Sequence, residues 1–81
     1  MDINEVREKT KRFLVDEFEI EEEKIKDDAL LKDDLGIDSL DFVDIVVIVE
    51  SVFGFKLQAE EVKQIATFAQ LCSLLQSKTE N

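Results

Sequence analysis

Ser39 is the residue of this 81-residue chain whose surroundings point to chemistry. It lies in Asp34-Leu35-Gly36-Ile37-Asp38-Ser39-Leu40-Asp41, where a polar loop gives way to an apolar-periodic segment. A catalytic serine needs a base, and the chain has no histidine, so neither a Ser-His-Asp nor a Cys-His device can be built. No Gly-rich phosphate loop is present. A calcium loop fails on register. With Gly36 at the sixth position, Leu31, Leu35 and Phe42 fall at the first, fifth and twelfth, where oxygen ligands are required. No metal site is therefore expected. Two readings remain open: a hydroxyl that carries a group attached by another agent, or a serine that simply begins a helix, a position that serine favours.

The balance of charge narrows the partners. Twenty acidic and ten basic residues leave a net charge of −10, which excludes ordinary nucleic-acid binding and disfavours anionic membranes. Basic protein surfaces are favoured instead. No apolar run reaches membrane-spanning length, and Met1-Asp2-Ile3-Asn4-Glu5 resembles neither a signal nor a transit peptide. The single cysteine, Cys72, cannot form an internal disulfide and fits a reducing, cytoplasmic setting. The length allows one domain over 1–81 with a modest core, too small for a large enclosed active site, and an enzyme is not expected.

The elements that position Ser39 can be read from periodicity. Asp2, with Glu5 three residues on, opens a first helix, and Ile3, Val6, Phe13, Leu14 and Phe18 mark its apolar face, diluted by Thr10. A long connection over 19–38 follows. Its apolar residues Ile20, Ile25, Leu30, Leu31, Leu35 and Ile37 can pin it to the helices, and Glu21-Glu22-Glu23 reads as a solvated edge or a short helical turn. The second helix is expected from Ser39 to Phe53, capped by Asp38 and stopped at Gly54. A short third helix falls within Lys56 to Gln64. Thr67-Phe68-Ala69-Gln70 is a capping box for a last helix to about Gln76, with Phe68, Leu71, Cys72 and Leu75 on its core face. Residues 77–81 are expected to fray. The fold class is all-α: a small four-helix bundle of three main helices and a short third one, with a long loop between the first two.

The second helix carries more apolar surface than a core requires. Phe42, Ile45, Val46, Val49 and Phe53 share a face that can be buried. The other side mixes Leu40, Val43, Val47 and Ile48 with Asp41, Asp44, Glu50 and Ser51, and unpaired carboxylates oppose full burial. Residues 27–53 alone carry a net charge of −7. A charge run by itself is usually a solvated face. Apolar positions inside an acidic frame favour a protein-binding surface.

With Leu35-Gly36-Ile37 leading into Asp38-Ser39-Leu40 at the start of an acidic second helix, the chain resembles the acyl carrier proteins, the phosphopantetheine-bearing carriers of fatty-acid and polyketide synthesis. The resemblance covers nearly the whole chain. It implies that Ser39, flanked by Asp38 and Leu40, is the attachment site of 4′-phosphopantetheine, transferred from coenzyme A by a phosphopantetheinyl transferase. It places partner docking on Leu40, Asp41, Val43, Asp44, Val47, Ile48, Glu50 and Ser51. The partners implied are acyl-transferring and ketosynthase-type enzymes with basic patches, meeting a monomeric carrier. For a folded-back acyl chain the implied lining is Phe42, Val43, Val46, Val47, Leu57, Ile65 and Phe68, residues that core packing explains equally well.

Other readings stand beside this one. An acidic interaction module without a prosthetic group would show the same second helix. Peptidyl or aminoacyl carriers share the bundle, although the single Gly36 followed by Ile37 departs from the paired glycines frequent among them. Within the acyl carriers, Ile48, Ser51, Gln58-Ala59 and Val62-Lys63-Gln64 make this chain greasier and less acidic than housekeeping members. A carrier dedicated to a polyketide, polyene or specialised-lipid pathway is the expectation. Expression in a strain depleted of its housekeeping carrier should fail to restore growth, and restored growth would overturn that assignment.

Overall fold

Four helices account for most of the residues described in a computed structural model, which covers 2–79. These are α1 (Ile3–Phe18), α2 (Ser39–Phe53), α3 (Ala59–Lys63) and α4 (Phe68–Thr79), with a 3₁₀ turn at Glu22–Lys24 between α1 and α2. The expected all-α bundle with a short third helix is what forms, within 31 × 24 × 20 Å. Helix α1 packs on α4, and α2 on α3.

Each helix begins where its sequence supplies acceptors for unpaired amides. The Asp2 carboxylate accepts from the Asn4 amide at 3.4 Å to start α1. At α4 the reciprocal box is present: the Gln70 amide donates to Thr67 Oγ1 at 3.2 Å, and Gln70 Oε1 accepts from the Ala66 and Thr67 amides. The end of α1 is less conventional. Glu19 adopts the left-handed conformation at φ 56°, and its amide and that of Ile20 both turn back to the Leu14 carbonyl. Burial of Ile20 then anchors the turn, in the manner of a Schellman stop without glycine.

The core joins all the helices and the long loop. Val6, Leu14, Ile45, Val49, Val62, Phe68, Leu71 and Leu75 are fully buried. Thr10 belongs with them rather than diluting the α1 face. Its hydroxyl donates to the Val6 carbonyl at 2.6 Å, so the polar atom enters the core satisfied. Cys72 is buried too, and burial pushes its thiol up to about 11 despite the opposing hydrogen bond with Thr10. A thiol held in its protonated form is a packing group rather than a nucleophile.

The connection over 19–38 is ordered by both side chains and backbone. Ile20, Ile25, Leu31, Leu35 and Ile37 are buried as expected, whereas Leu30 is 37% exposed and Ala29 fills the core in its place. Leu30 forms an isolated antiparallel bridge with Thr67. The Leu31 amide donates to the Ala66 carbonyl at 2.9 Å, Phe68 to Ala29 at 3.0 Å and Ala69 to Asp27 at 3.0 Å. Arg7 pairs with Asp27 and sets its guanidinium 5.9 Å from the Phe68 ring centroid, so one side chain joins α1, loop and α4.

Helix α4 continues to Thr79, three residues past the expected end at Gln76, so Ser77, Lys78 and Thr79 are helical rather than frayed. Lys78 lies 2.8 Å from Glu61 of α3, a tether invisible to helical periodicity. The Lys78 hydrogen bond, aided by that of the Gln58 amide, holds the Glu61 carboxyl below its ordinary range. The rest of the expected tail, 80–81, lies outside the described residues.

Candidate functional site

Ser39 is the first residue of α2 and is exposed. Its position is set from both sides. Ahead of it, Gly36 takes φ 72°, a left-handed conformation that lets the chain turn while Leu35 and Ile37 on either side go into the core. The Ile37 amide donates to the Leu31 carbonyl at 2.8 Å. Behind it, Asp38 Oδ1 accepts from the Leu40 and Asp41 amides at 3.0 and 3.2 Å, and Asp41 Oδ2 accepts from the Asp38 amide at 3.2 Å. The expected cap is thus a full capping box, with two aspartates enclosing the serine.

The box changes how the surrounding acidity should be understood. Asp38 and Asp41 are committed to the amides of the first turn of α2, and Asp34 accepts from the Leu30 amide at 2.8 Å. Three carboxylates near Ser39 therefore act as structural acceptors. None of these bonds involves the serine hydroxyl, which no neighbouring histidine can activate. Among the described residues there is no group of three or more His, Cys, Asp or Glu able to hold a metal ion.

Down the outer side of α2 runs an apolar stripe open to water. Leu40 is 79% exposed, Val47 61% and Val43 55%. Asp44, Glu50 and Ser51 are exposed beside them, while Asp41 and Ile48 are half-buried. All eight residues assigned to docking thus lie on one helix with at least part of the side chain accessible. Sequence reasoning missed Val52, 40% exposed, which borders a shallow cleft with Ile48 of α2 and Phe13 of α1. Its apolar type was the available signal, but it lies off the axis of the Leu40–Val43–Val47 stripe.

A second feature opens on the other side of Ser39. A cleft of about 460 Å³ has Leu30, Leu31, Phe42, Ile65 and Ala66 as its apolar walls. Ser39, Asp38, Asp33, Lys32 and Lys63 complete its lining. Of the residues assigned to acyl-chain lining, Phe42 and Ile65 border this cleft. Leu57 and Phe68 are core residues at 3% and 0% exposure, and Val46 is half-buried against the core. Val43 and Val47 are largely exposed and are not among the residues that line this cleft; Val47 borders a separate one with Glu17, Phe18 and Ile48. Leu30, Leu31, Ala66, Lys32 and Lys63 were missed as neighbours of Ser39. Long-range contacts between the loop and the entry of α4, such as the Leu30–Thr67 bridge and the Leu31–Ala66 hydrogen bond, bring these segments together.

Fold and site together define a small helical domain that presents a surface serine beside a cleft and an apolar, acid-framed helix. Residues 8–75 match the protein-family profile described as "Phosphopantetheine attachment site". The chain is 36% identical to the acyl carrier protein of Coprothermobacter proteolyticus, across 95% of this chain and 94% of that one. It is 37% identical to that of Petrotoga mobilis, across 93% and 88%, and 35% identical to that of Thermotoga maritima, across 91% of each. The chain belongs to the acyl carrier protein family and carries its phosphopantetheine attachment domain. The chemistry present fits such a group: an exposed hydroxyl, space beside it, and nearby carboxylates largely occupied with backbone donors.

The capping box generates a test of the presentation geometry. Asp38→Ala should cost about 0.5–2 kcal/mol of stability. It should also speed hydrogen exchange at the Leu40 and Asp41 amides while leaving α4 amides protected, as read by NMR.

Proposed function

We propose that this chain is an acyl carrier in which Ser39 holds the 4′-phosphopantetheine, serving enzymes of fatty-acid, polyketide or specialised-lipid synthesis. The observation that carries this reading is the exposed Ser39 hydroxyl at a rigid helix start, free of the capping bonds made by its neighbours. When bound, the group supplies a terminal thiol on which acyl cargo is held as a thioester. The chain's own part is to fix where that arm begins and what its partners meet. A helix held by the Asp38–Asp41 box gives the arm one origin and direction. With no histidine and a protonated, buried Cys72, the chain contributes no catalytic group, which is the role of a carrier subunit rather than an enzyme.

Docking on partners is assigned to the outer stripe of α2. Leu40, Val43 and Val47 offer apolar area already exposed, so a partner that covers them gains roughly 25 cal/mol per Å² removed from water, before the costs of association. Asp44 and Glu50 frame that area with charge aimed at solvent. Such charges chiefly set encounter rate and orientation toward basic patches on a phosphopantetheinyl transferase or a ketosynthase-type enzyme.

Incubation with coenzyme A and a phosphopantetheinyl transferase should add one phosphopantetheine to the wild-type mass and none to Ser39→Ala. No gain in the wild type, or equal gain in the variant, would leave an interaction module without a prosthetic group. For docking, Asp44→Lys should slow association with a basic partner several-fold at low salt in stopped-flow measurements, with a smaller change in dissociation. The difference should shrink toward 1 M salt, where the screening length is about 3 Å.

A further inference from the structure

Lys32 and Lys63 are unusual in their setting. Residues 27–53 contain one basic side chain, and it is Lys32, which lines the cleft beside Ser39. Lys63, the last residue of α3, lines the same cleft. The two come from segments distant in sequence, brought together by the bridge that ties the long loop to the entry of α4. The chain has twice as many acidic as basic residues, and yet neither lysine forms an ion pair among the described residues. Both are exposed.

Two of the three nearby carboxylates that could have neutralised them are engaged elsewhere. Asp38 lines the cleft but spends Oδ1 on two amides of α2, and Asp34 is bonded to the Leu30 amide. Asp33 is the one lining carboxylate without such a bond. Around Ser39, then, Asp34 and Asp38 are bonded to backbone amides, Asp33 is not, and two exposed lysines line the same cleft. A phosphodiester carries one negative charge and several acceptor oxygens, and lysine meets phosphate as a movable point charge.

We infer that Lys32 and Lys63 form an intramolecular anion seat for the phosphodiester of the arm, which lays the start of the arm into the cleft against Phe42 and Ile65. This rests on the assignment of Ser39 as the attachment residue and adds a resting position to it. The seat offsets the repulsion that Asp33 and Asp38 would otherwise exert on the phosphate. Because both lysines are exposed, the contact is weak and reversible, as a surface ion pair is. A partner enzyme can therefore draw the arm out without a large penalty. Salt weakens the seat and frees the arm.

Loaded wild type, a loaded K32Q/K63Q double variant and a loaded K32R/K63R double variant decide the matter, each first checked for loading by intact mass. In NMR spectra, loading of the wild type should shift the Lys32 and Lys63 side-chain resonances. Contacts should appear between the arm and Phe42 or Ile65, and the phosphorus signal should move with added salt. K32R/K63R should retain these signatures, and K32Q/K63Q should lose most of them while keeping the fold. Absence of mass gain in the wild type defeats the Ser39 assignment itself. Normal loading with an arm that makes no such contacts, or with contacts unchanged in K32Q/K63Q, overturns the anion seat alone. Slower loading of K32Q/K63Q with unchanged spectra once loaded also overturns it, and gives the lysines to the transferase.

Discussion

Three backbone hydrogen bonds between 27–31 and 66–69 hold this molecule in its working form. Leu31 to Ala66, Phe68 to Ala29 and Ala69 to Asp27 tie a twenty-residue connection to the entry of the last helix. A segment of that length has ample freedom to wander, and its closure entropy grows only slowly with length. What it lacks without the tie is one path. With the tie in place, Ile25, Ala29, Leu31, Leu35 and Ile37 enter the core, and the chain arrives at Asp38 from a single direction. The capping box then needs to fix only the last few dihedrals. The bridge also builds the cleft wall from Leu30 and Ala66, so the position of Ser39 and the space beside it share one origin.

Much of the bundle was legible because helical periodicity reports directly on burial. The core face of α4 at Phe68, Leu71, Cys72 and Leu75, the Thr67–Gln70 box, the Asp38 cap and the Gly54 stop all follow from local rules. The failures came from bonds that periodicity does not report, some local and one long-range. Thr10 reads as a polar interruption until its hydroxyl is seen bonded within its own helix. Glu19 is an improbable residue for a left-handed cap, and the buried Ile20 beside it accounts for the stop. The last turn of α4 is held by Lys78 reaching Glu61 of α3, seventeen positions earlier in the chain.

The site divides along the same line. Positions on α2 were readable as a face, since one helix carries them all. The neighbours of Ser39 across the cleft were not, since they come from the loop and from the segment around α3. Assigning Val43 and Val47 to both the outer stripe and an interior lining asked one side chain to face two ways. Their exposures of 55% and 61% place both on the open face of α2 in the chain as it stands. The acidity was legible as a quantity and misleading as a picture. Near Ser39, Asp34, Asp38 and Asp41 are bonded to backbone amides, whereas Asp33 beside them and Asp44 and Glu50 farther along α2 are not.

The outer stripe has a consequence for the protein's behaviour at high concentration. Leu40, Val43 and Val47 offer a self-complementary apolar strip to any second copy of the same chain. Two such strips approach only by bringing together bodies of net charge −10, whose repulsion opposes the contact before apolar surfaces meet. The acidic excess thus acts as a colloidal guard that lets a carrier keep a greasy face permanently uncovered. A surface of opposite sign would meet no such repulsion, and no lid or moving part is required.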